Sequence, residues 1–236
     1  MGTAAVQLKS VALKRGSREL LSNLDIEIAA GEILAILGPS GMGKTTLLHA
    51  VAGLIEPSSG EITTSVEQPG MAFQDSLLLP WLTVRQNVAL AYQFKAHYVD
   101  ADQVEVTEKI DRILSAVGLD GFQKSFPNEL SGGQAQRVSI ARALVLNSEV
   151  LLLDEPFSAV DAITREQLQN LVRETRDRFG TTVLLVTHDI NEALAIADRV
   201  LVLADKDRLL ELRPDKSKQT EQKAQILLAL GGNYVI

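Results

Sequence analysis

Ile33-Leu34-Ala35-Ile36-Leu37 followed by Gly38-Pro39-Ser40-Gly41-Met42-Gly43-Lys44-Thr45 is the stretch that decides the fold. Five apolar residues in a row read as a strand buried on both faces. The glycine-rich loop that leaves it ends in Lys-Thr, and Thr46-Leu47-Leu48-His49-Ala50-Val51-Ala52 behind it suits a helix. Strand, loop and helix in that order are the setting a phosphate-binding loop requires. Its glycines let backbone N–H groups wrap an anion while the helix N-terminus adds partial positive charge. Lys44 then reaches the β- and γ-phosphates, and the Thr45 hydroxyl ligates Mg2+. Average residue usage would produce the bare pattern in roughly one chain per hundred of this length, so the strand and helix around it carry the inference.

Outward from this point the same kind of apolar run recurs at Val150-Leu151-Leu152-Leu153, Val183-Leu184-Leu185-Val186 and Val200-Leu201-Val202-Leu203. Between the runs lie helical repeats, such as Leu168, Leu171, Val172, Thr175 and Phe179 behind Asp161 and Ala162. Alternating strand and helix predict an α/β protein with a parallel sheet, here a P-loop NTPase core. The first 30 residues instead alternate apolar and polar (Val6, Leu8, Leu24, Ile26, Ile28), which predicts a small antiparallel β-layer. Residues 84–146 read as mostly helical, broken at Gly118, Gly121 and Pro127. One domain is expected: 1–73 and 148–205 as core with β-layer, 74–147 as a helical subdomain, and 206–236 as a solvated linker around Pro214 with a short terminal helix.

Composition bounds the function. The chain has 236 residues, 46% apolar and 22% charged, with 16 Gly and 7 Pro, which is globular rather than disordered. Its 23 Lys+Arg against 30 Asp+Glu give −7, and an acidic balance argues against non-specific nucleic-acid binding. The absence of Cys excludes disulfides and thiolate metal sites and fits a reducing compartment. The N-terminus lacks a signal-peptide pattern, and the apolar runs fall far short of the ~20 residues a membrane helix needs. Work at a membrane would be that of a peripheral subunit.

Two more segments carry chemistry. The run Val150-Leu151-Leu152-Leu153 ends in Asp154-Glu155-Pro156, carboxylates at the strand end where open α/β sheets bind ligands. Asp154 suits the Mg2+ shell and Glu155 a general base for the attacking water, with helix capping before Pro156 as the plainer alternative. Leu130-Ser131-Gly132-Gly133-Gln134 opens a helix through Val138, Ala141 and Leu144. In isolation it is an N-cap or a second anion site.

Taken together, the phosphate loop, Asp154-Glu155, Leu130 to Gln134 with Gln136-Arg137, Gln74, Asp161 and His188 resemble the nucleotide-binding subunit of an ATP-binding cassette (ABC) transporter. The likeness spans roughly residues 6–205. It implies that two subunits sandwich two ATP molecules, so that Ser131, Gly132, Gly133 and Gln134 face the γ-phosphate held by the other copy's loop. It further implies that Gln74 senses metal and water, Asp161 crosses the dimer interface, and His188, in Val186-Thr187-His188-Asp189, contacts the γ-phosphate. The cofactors implied are ATP and Mg2+, the latter on Thr45, Gln74 and Asp154. One position departs from the family: an aromatic usually precedes the glycine of the N-terminal turn to stack on adenine, and this chain has Arg15 before Gly16. A guanidinium is planar and can stack in its place. His49 and His97 receive no role.

Phe73-Gln74-Asp75-Ser76-Leu77-Leu78-Leu79-Pro80-Trp81-Leu82-Thr83-Val84, with Asp154 to Arg165, narrows the resemblance to import ATPases for nitrate, sulfonate, taurine and thiamine-precursor compounds. Ser158, Val160 and Ile163 vary conservatively from that branch. Leu77, Leu78, Leu79 and Trp81 read either as core or as a docking surface for membrane permease subunits. The expected protein is therefore the ATP-hydrolysing subunit of an importer on the cytoplasmic face of the membrane, paired with a second copy and reaching a solute-binding protein only indirectly. The alternatives are a soluble ABC-type ATPase and a nucleotide-binding module that does not hydrolyse. Nothing in the residues names the solute.

Overall fold

The structure, a computed structural model, describes residues 4–93, 103–205 and 208–231. His97 and the ends of the expected C-terminal segment, 206–207 and 232–236, lie outside them. Within the described residues the strands form two sheets.

The central sheet has the order β5-β6-β7-β3-β8-β9, from β3 (Ile33–Leu37), β5 (Gly70–Ala72), β6 (Val150–Asp154), β7 (Thr182–Thr187), β8 (Arg199–Asp205) and β9 (Arg208–Leu212). Its pairs from β5 to β8 are parallel, and β9 closes the edge antiparallel to β8. All four long apolar runs are strands of this sheet, and β3, β6 and β7 are buried along their whole length. Burial on both faces follows from what covers them. Ile33, Ala35 and Leu37 of β3 face one core, and Leu34 and Ile36 face another. An uninterrupted apolar strand is the only sequence that can serve two cores at once.

The second core is roofed by the antiparallel pair β1 (Ala4–Arg15) and β2 (Arg18–Ala29), with β4 (Ser59–Thr64) beside β1. Val6, Leu8, Leu24, Ile26 and Ile28 point inward, so the alternation in the sequence corresponds to one buried face. Also packed here is α1 (Lys44–Val51), through Leu47, Leu48 and Val51. The first core is covered by α2 (Val84–Gln93), α3 (Gln103–Ala116), α4 (Gly132–Leu144), α5 (Ala162–Phe179), α6 (Ile190–Ile196) and α7 (Gln219–Ala229). Gly118, Gly121 and Pro127 fall between α3 and α4, where the helical reading breaks.

The C-terminal expectation needs correction. Residues 208–212 are not linker but β9, because Leu210 and Leu212 pack on the core while Glu211 pairs with the Arg199 guanidinium at 3.5 Å. A short Arg-Leu-Leu-Glu-Leu stretch set among charges hides its alternation, yet the open edge of β8 needs a partner. The short terminal helix runs over Gln219–Ala229 and buries Gln222 and Ile226. Two further strands escape the pattern. β5 is three residues long, and β4 carries little apolar content. Gly60 lets β4 approach: a Cβ there would sit 2.4 Å from Lys9 O and Ser10 O, where β1 bulges between Lys9 and Ala12.

Candidate functional site

The loop between β3 and α1 is built around backbone that only glycine adopts easily. Gly41 and Gly43 have φ of 79° and 94°, and a Cβ on Gly43 would meet Leu20 Cβ at 2.9 Å. Gly38 is equally confined, its would-be Cβ lying 2.9 Å from Leu203 O. The loop is thus wedged between the start of β2 and the end of β8. Lys44 is buried, and its Nζ donates to Gly38 O at 2.7 Å and Pro39 O at 3.0 Å. Desolvation lowers the Lys44 pKa, opposed by the negative charges of Glu155 and Asp154. The ammonium therefore stands within the field of both carboxylates at the end of β6. Pro39, Ser40, Met42, Thr45 and Thr46 belong to the same turn and first helical residues.

Asp154 ends β6 at 1% exposure. Burial pushes its carboxyl pKa up, while the Thr45 hydroxyl donates to it and lowers it again. Its Oδ1 has no hydrogen-bond partner among the described residues. A buried carboxylate oxygen left without a donor, beside a hydroxyl, is a hard oxygen pair of the kind Mg2+ takes. The residues fit that ion.

Glu155 follows at φ 46°, a left-handed conformation uncommon outside glycine and stored at functional positions. Its N–H donates to Val186 O at 2.9 Å, and its own carbonyl accepts from the Ser158 hydroxyl. The turn so fixed brings Oε2 within 3.1 Å of His188 Nδ1 and 3.4 Å of Gln74 Nε2. Two side chains, 81 positions before and 33 after Glu155 in sequence, thereby converge on one of its carboxylate oxygens. Gln74 is exposed and His188 half exposed, so the carboxylate opens to solvent through them.

Other expected residues sit elsewhere. Ser131 caps α4: its Oγ accepts from Gln134 N at 3.2 Å, and Gln134 Oε1 accepts from Ser131 N at 2.8 Å. Ser131 and Gly132 are exposed, and Gly133 packs tightly on Ala159, its would-be Cβ 2.8 Å from the carbonyl. The N-cap reading is realised, and the hydroxyl proton of Ser131 is still available to an anion. Asp161 caps α5, accepting from Ile163 N, Thr164 N and the Thr164 hydroxyl, which lowers its pKa. Arg15 ends β1 beside the Gly16 turn. It pairs with Arg18, two residues before the Leu20 that abuts Gly43, so this turn lies near the phosphate loop.

Several supporting residues carry no signal in sequence. Arg165 donates to Val160 O and faces Asp189 at 3.8 Å and Glu192 at 3.3 Å. Glu192 is buried and accepts from the Thr187 hydroxyl at 2.6 Å, next to His188. Burial is the largest influence on Glu192 and raises its pKa. These residues tie the start of α5 to the turn that carries His188. A lone Arg on one helix and a lone Glu on another each read as a solvated-face charge, which is why they are missed.

The apolar run after Gln74 is also settled in part. Leu77 and Trp81 are 56% and 69% exposed, which overturns their core reading, whereas Leu78 packs against the first core. Asn87, fully buried, accepts from Leu79 N and donates to the carbonyls of Leu79, Leu82 and Thr83. Arg142 of α4 donates to Ser76 O and Leu77 O, and Gln136 of the same helix donates to Phe73 O. The segment is exposed yet held.

Residues 21–158 match the family described as ABC transporter. An aliphatic sulfonates import ATP-binding protein of Paraburkholderia xenovorans is 42% identical over 227 residues, covering 96% of this chain and 88% of that protein. Another of the same description, from Corynebacterium glutamicum, is 45% identical over 209 residues, 86% and 84% of the two chains. Among solved structures, a dimeric ATP-binding cassette in a post-hydrolysis state bound to ADP and Pi superposes with a TM-score of 0.82 at 34% identity, over 89% of this chain and 99% of that one. A component of a Clostridium perfringens ABC transporter complex does so with a TM-score of 0.77 at 25% identity, over 98% and 95%. Similarity of this extent, on a phosphate loop and strand-end carboxylates already in place, means that the chain belongs to the ABC transporter family, as one of its ATPase cassettes.

Proposed function

We propose that the chain is the energy-coupling ATPase of a membrane importer for an aliphatic sulfonate or a similar small anionic solute, working as a dimer of identical subunits on the cytoplasmic face of the membrane. The convergence of Gln74 and His188 on Glu155, one residue from the Asp154 that faces Lys44, is the observation that carries the catalytic part. The relatives, named as import ATP-binding proteins for aliphatic sulfonates, support the transport part. No helix among the described residues is long and apolar enough to cross a membrane.

In this reading Lys44 exchanges Gly38 O and Pro39 O for the phosphate oxygens of ATP, and the N–H groups of the loop cradle the rest. Mg2+, held by Thr45, Asp154 and Gln74, would neutralise charge on the phosphates. Glu155 accepts the proton of the water that attacks the γ-phosphorus, while Gln74 and His188 hold its Oε2 in place. Ser131, Gly132, Gly133 and Gln134 of the second copy close over the γ-phosphate, with Asp161 at the shared interface. Arg15 lies against the adenine. Leu77 and Trp81, with Leu78 and Leu79 beneath them, dock on the permease.

Phosphate release is the test. Glu155→Gln should keep ATP affinity, since a general base acts mainly in the transition state, and lower hydrolysis by about 100- to 10,000-fold. The same variant should accumulate an ATP-bound dimer on size-exclusion chromatography. Unchanged turnover would remove Glu155 from the role, and failure to co-purify any integral membrane protein from mild detergent would remove the importer reading.

A further inference from the structure

A cleft of about 500 Å³ lies between α3, the end of α4 and the second half of α5. That volume is within the ~300–1,000 Å³ usual for small-molecule pockets. It sits far from the phosphate loop. Asn147 in its wall precedes β6, whose other end bears Asp154, and Phe179 lies at the C-terminal end of the helix that Asp161 caps. An 18-residue helix is about 27 Å long, so the two sites occupy opposite ends of the sheet.

The lining has two characters. Ile113, Leu171 and Phe179 give it an apolar wall, Phe179 being 45% exposed. Lys109, Arg112 and Arg178 stand around it against one carboxylate, Glu174, for a net charge of +2. In a chain of net charge −7 such a concentration of cations is unexpected. Arg112 and Arg178 form no ion pair among the described residues: Arg112 donates one N–H to Glu108 O, and Arg178 lies 5.3 Å from the Phe179 ring centroid. Guanidinium forks beside apolar surface match one kind of molecule, an anionic head on a hydrocarbon tail.

We propose that this cleft binds a short-chain organic anion, its sulfonate or carboxylate on Arg112 and Arg178 and its alkyl tail along Ile113, Leu171 and Phe179. Because α3 belongs to the helical segment and α5 flanks the sheet, an occupant bridges the two, and its binding restrains their relative movement. The site does not depend on which solute the importer carries.

Titration calorimetry on the full chain with butane-, hexane- and octanesulfonate tests the proposal. Each CH2 buried should tighten binding by about fourfold. Saturating Mg-ATP should not compete with the sulfonate, which should still bind, since the sites are separate. Arg178→Ala and Arg112→Ala should each weaken hexanesulfonate by about 10-fold or more, the value of a charge-assisted hydrogen bond, with melting temperatures near that of the unaltered chain. Leu171→Asp should abolish the dependence on tail length. Affinity independent of tail length, displacement by ATP, or indifference to both arginines would overturn the proposal. Binding to phosphatidylglycerol vesicles with none to the free sulfonates would overturn it as well, by assigning the cations to a lipid surface.

Discussion

Replacing Trp81 by Ala separates a docking residue from a packing residue, and the structure supplies the magnitude. Truncating a buried Phe or Trp costs about 3–5 kcal/mol. Trp81 is 69% exposed, which leaves roughly a third of that contact, about 1–1.5 kcal/mol. For a chain of this size 1 kcal/mol moves the melting temperature by about 2–4 °C, so the expected fall is about 2–6 °C. The loop itself should survive, because its backbone is held by Asn87 and Arg142 rather than by the indole. An exposed Trp that becomes a buried interface anchor is worth ~2 kcal/mol or more, or about 30-fold in affinity for the partner.

The assay measures three quantities on one variant: melting temperature, basal ATP hydrolysis of the isolated subunit, and recovery of the membrane partner in mild detergent. Trp81→Ala should lose most of the partner while melting within a few degrees of the unaltered protein and hydrolysing ATP at its rate. Asn87→Ala is the contrast, since it removes a fully buried side chain with four hydrogen bonds and should lower stability and partner recovery together. A drop of more than about 10 °C for Trp81→Ala would refute the docking argument, as would full recovery of the partner.

Ser131→Arg should leave ATP binding by a single subunit intact and prevent the ATP-dependent dimer of a Glu155→Gln background, read by size-exclusion chromatography; a stable dimer would end the composite-site reading. Arg15→Ala should weaken ATP by about 0.5–2 kcal/mol, the range of a cation–π contact, and Arg15→Tyr should restore it; three equal dissociation constants would exclude adenine stacking. For Glu192 the folded pKa lies above 4.5, so the folded state holds the proton more tightly than the unfolded one. Stability conferred by this group is therefore present below pH 4.5 and lost as pH rises through the folded value, and Glu192→Gln should flatten that part of the stability curve. An unchanged curve, followed by urea unfolding, would show that Glu192 does not titrate there.

How much of this was legible in the sequence depends on how each feature is encoded. Strands serving two cores must be apolar throughout, so β3, β6, β7 and β8 announce themselves, and β1 and β2 do so by alternation. β9 and β4 exist because neighbouring strands offer free edges, which is a property of the partner and leaves no pattern in their own residues. The same division holds at the site. Gly43, Lys44 and Asp154 are specified by local spacing. Arg165, Glu192, Asn87 and Arg142 act on backbone carbonyls and carboxylates that only the fold brings to them.

Arg142, with Gln136 of the same helix, bears on how hydrolysis would be linked to movement. One helix, α4, is capped by Ser131, which we propose faces the second copy's nucleotide, and through Gln136 and Arg142 it grips both sides of Gln74, at Phe73 O and at Ser76 O and Leu77 O. On the proposed function, a displacement of its N-cap would be carried along the helix to the loop that bears Trp81. Arg142 is half-buried, desolvation lowers its pKa, and it holds both carbonyls at 3.0 Å. By contrast, Gln74 touches Glu155 through a single long bond of 3.4 Å, which gives easily. The loop is thus bound more firmly to α4 than to the Glu155 carboxylate. Closure of the dimer on ATP should move Gln74 with the helix and the docking surface, and the contact with Glu155 is the one that opens and closes.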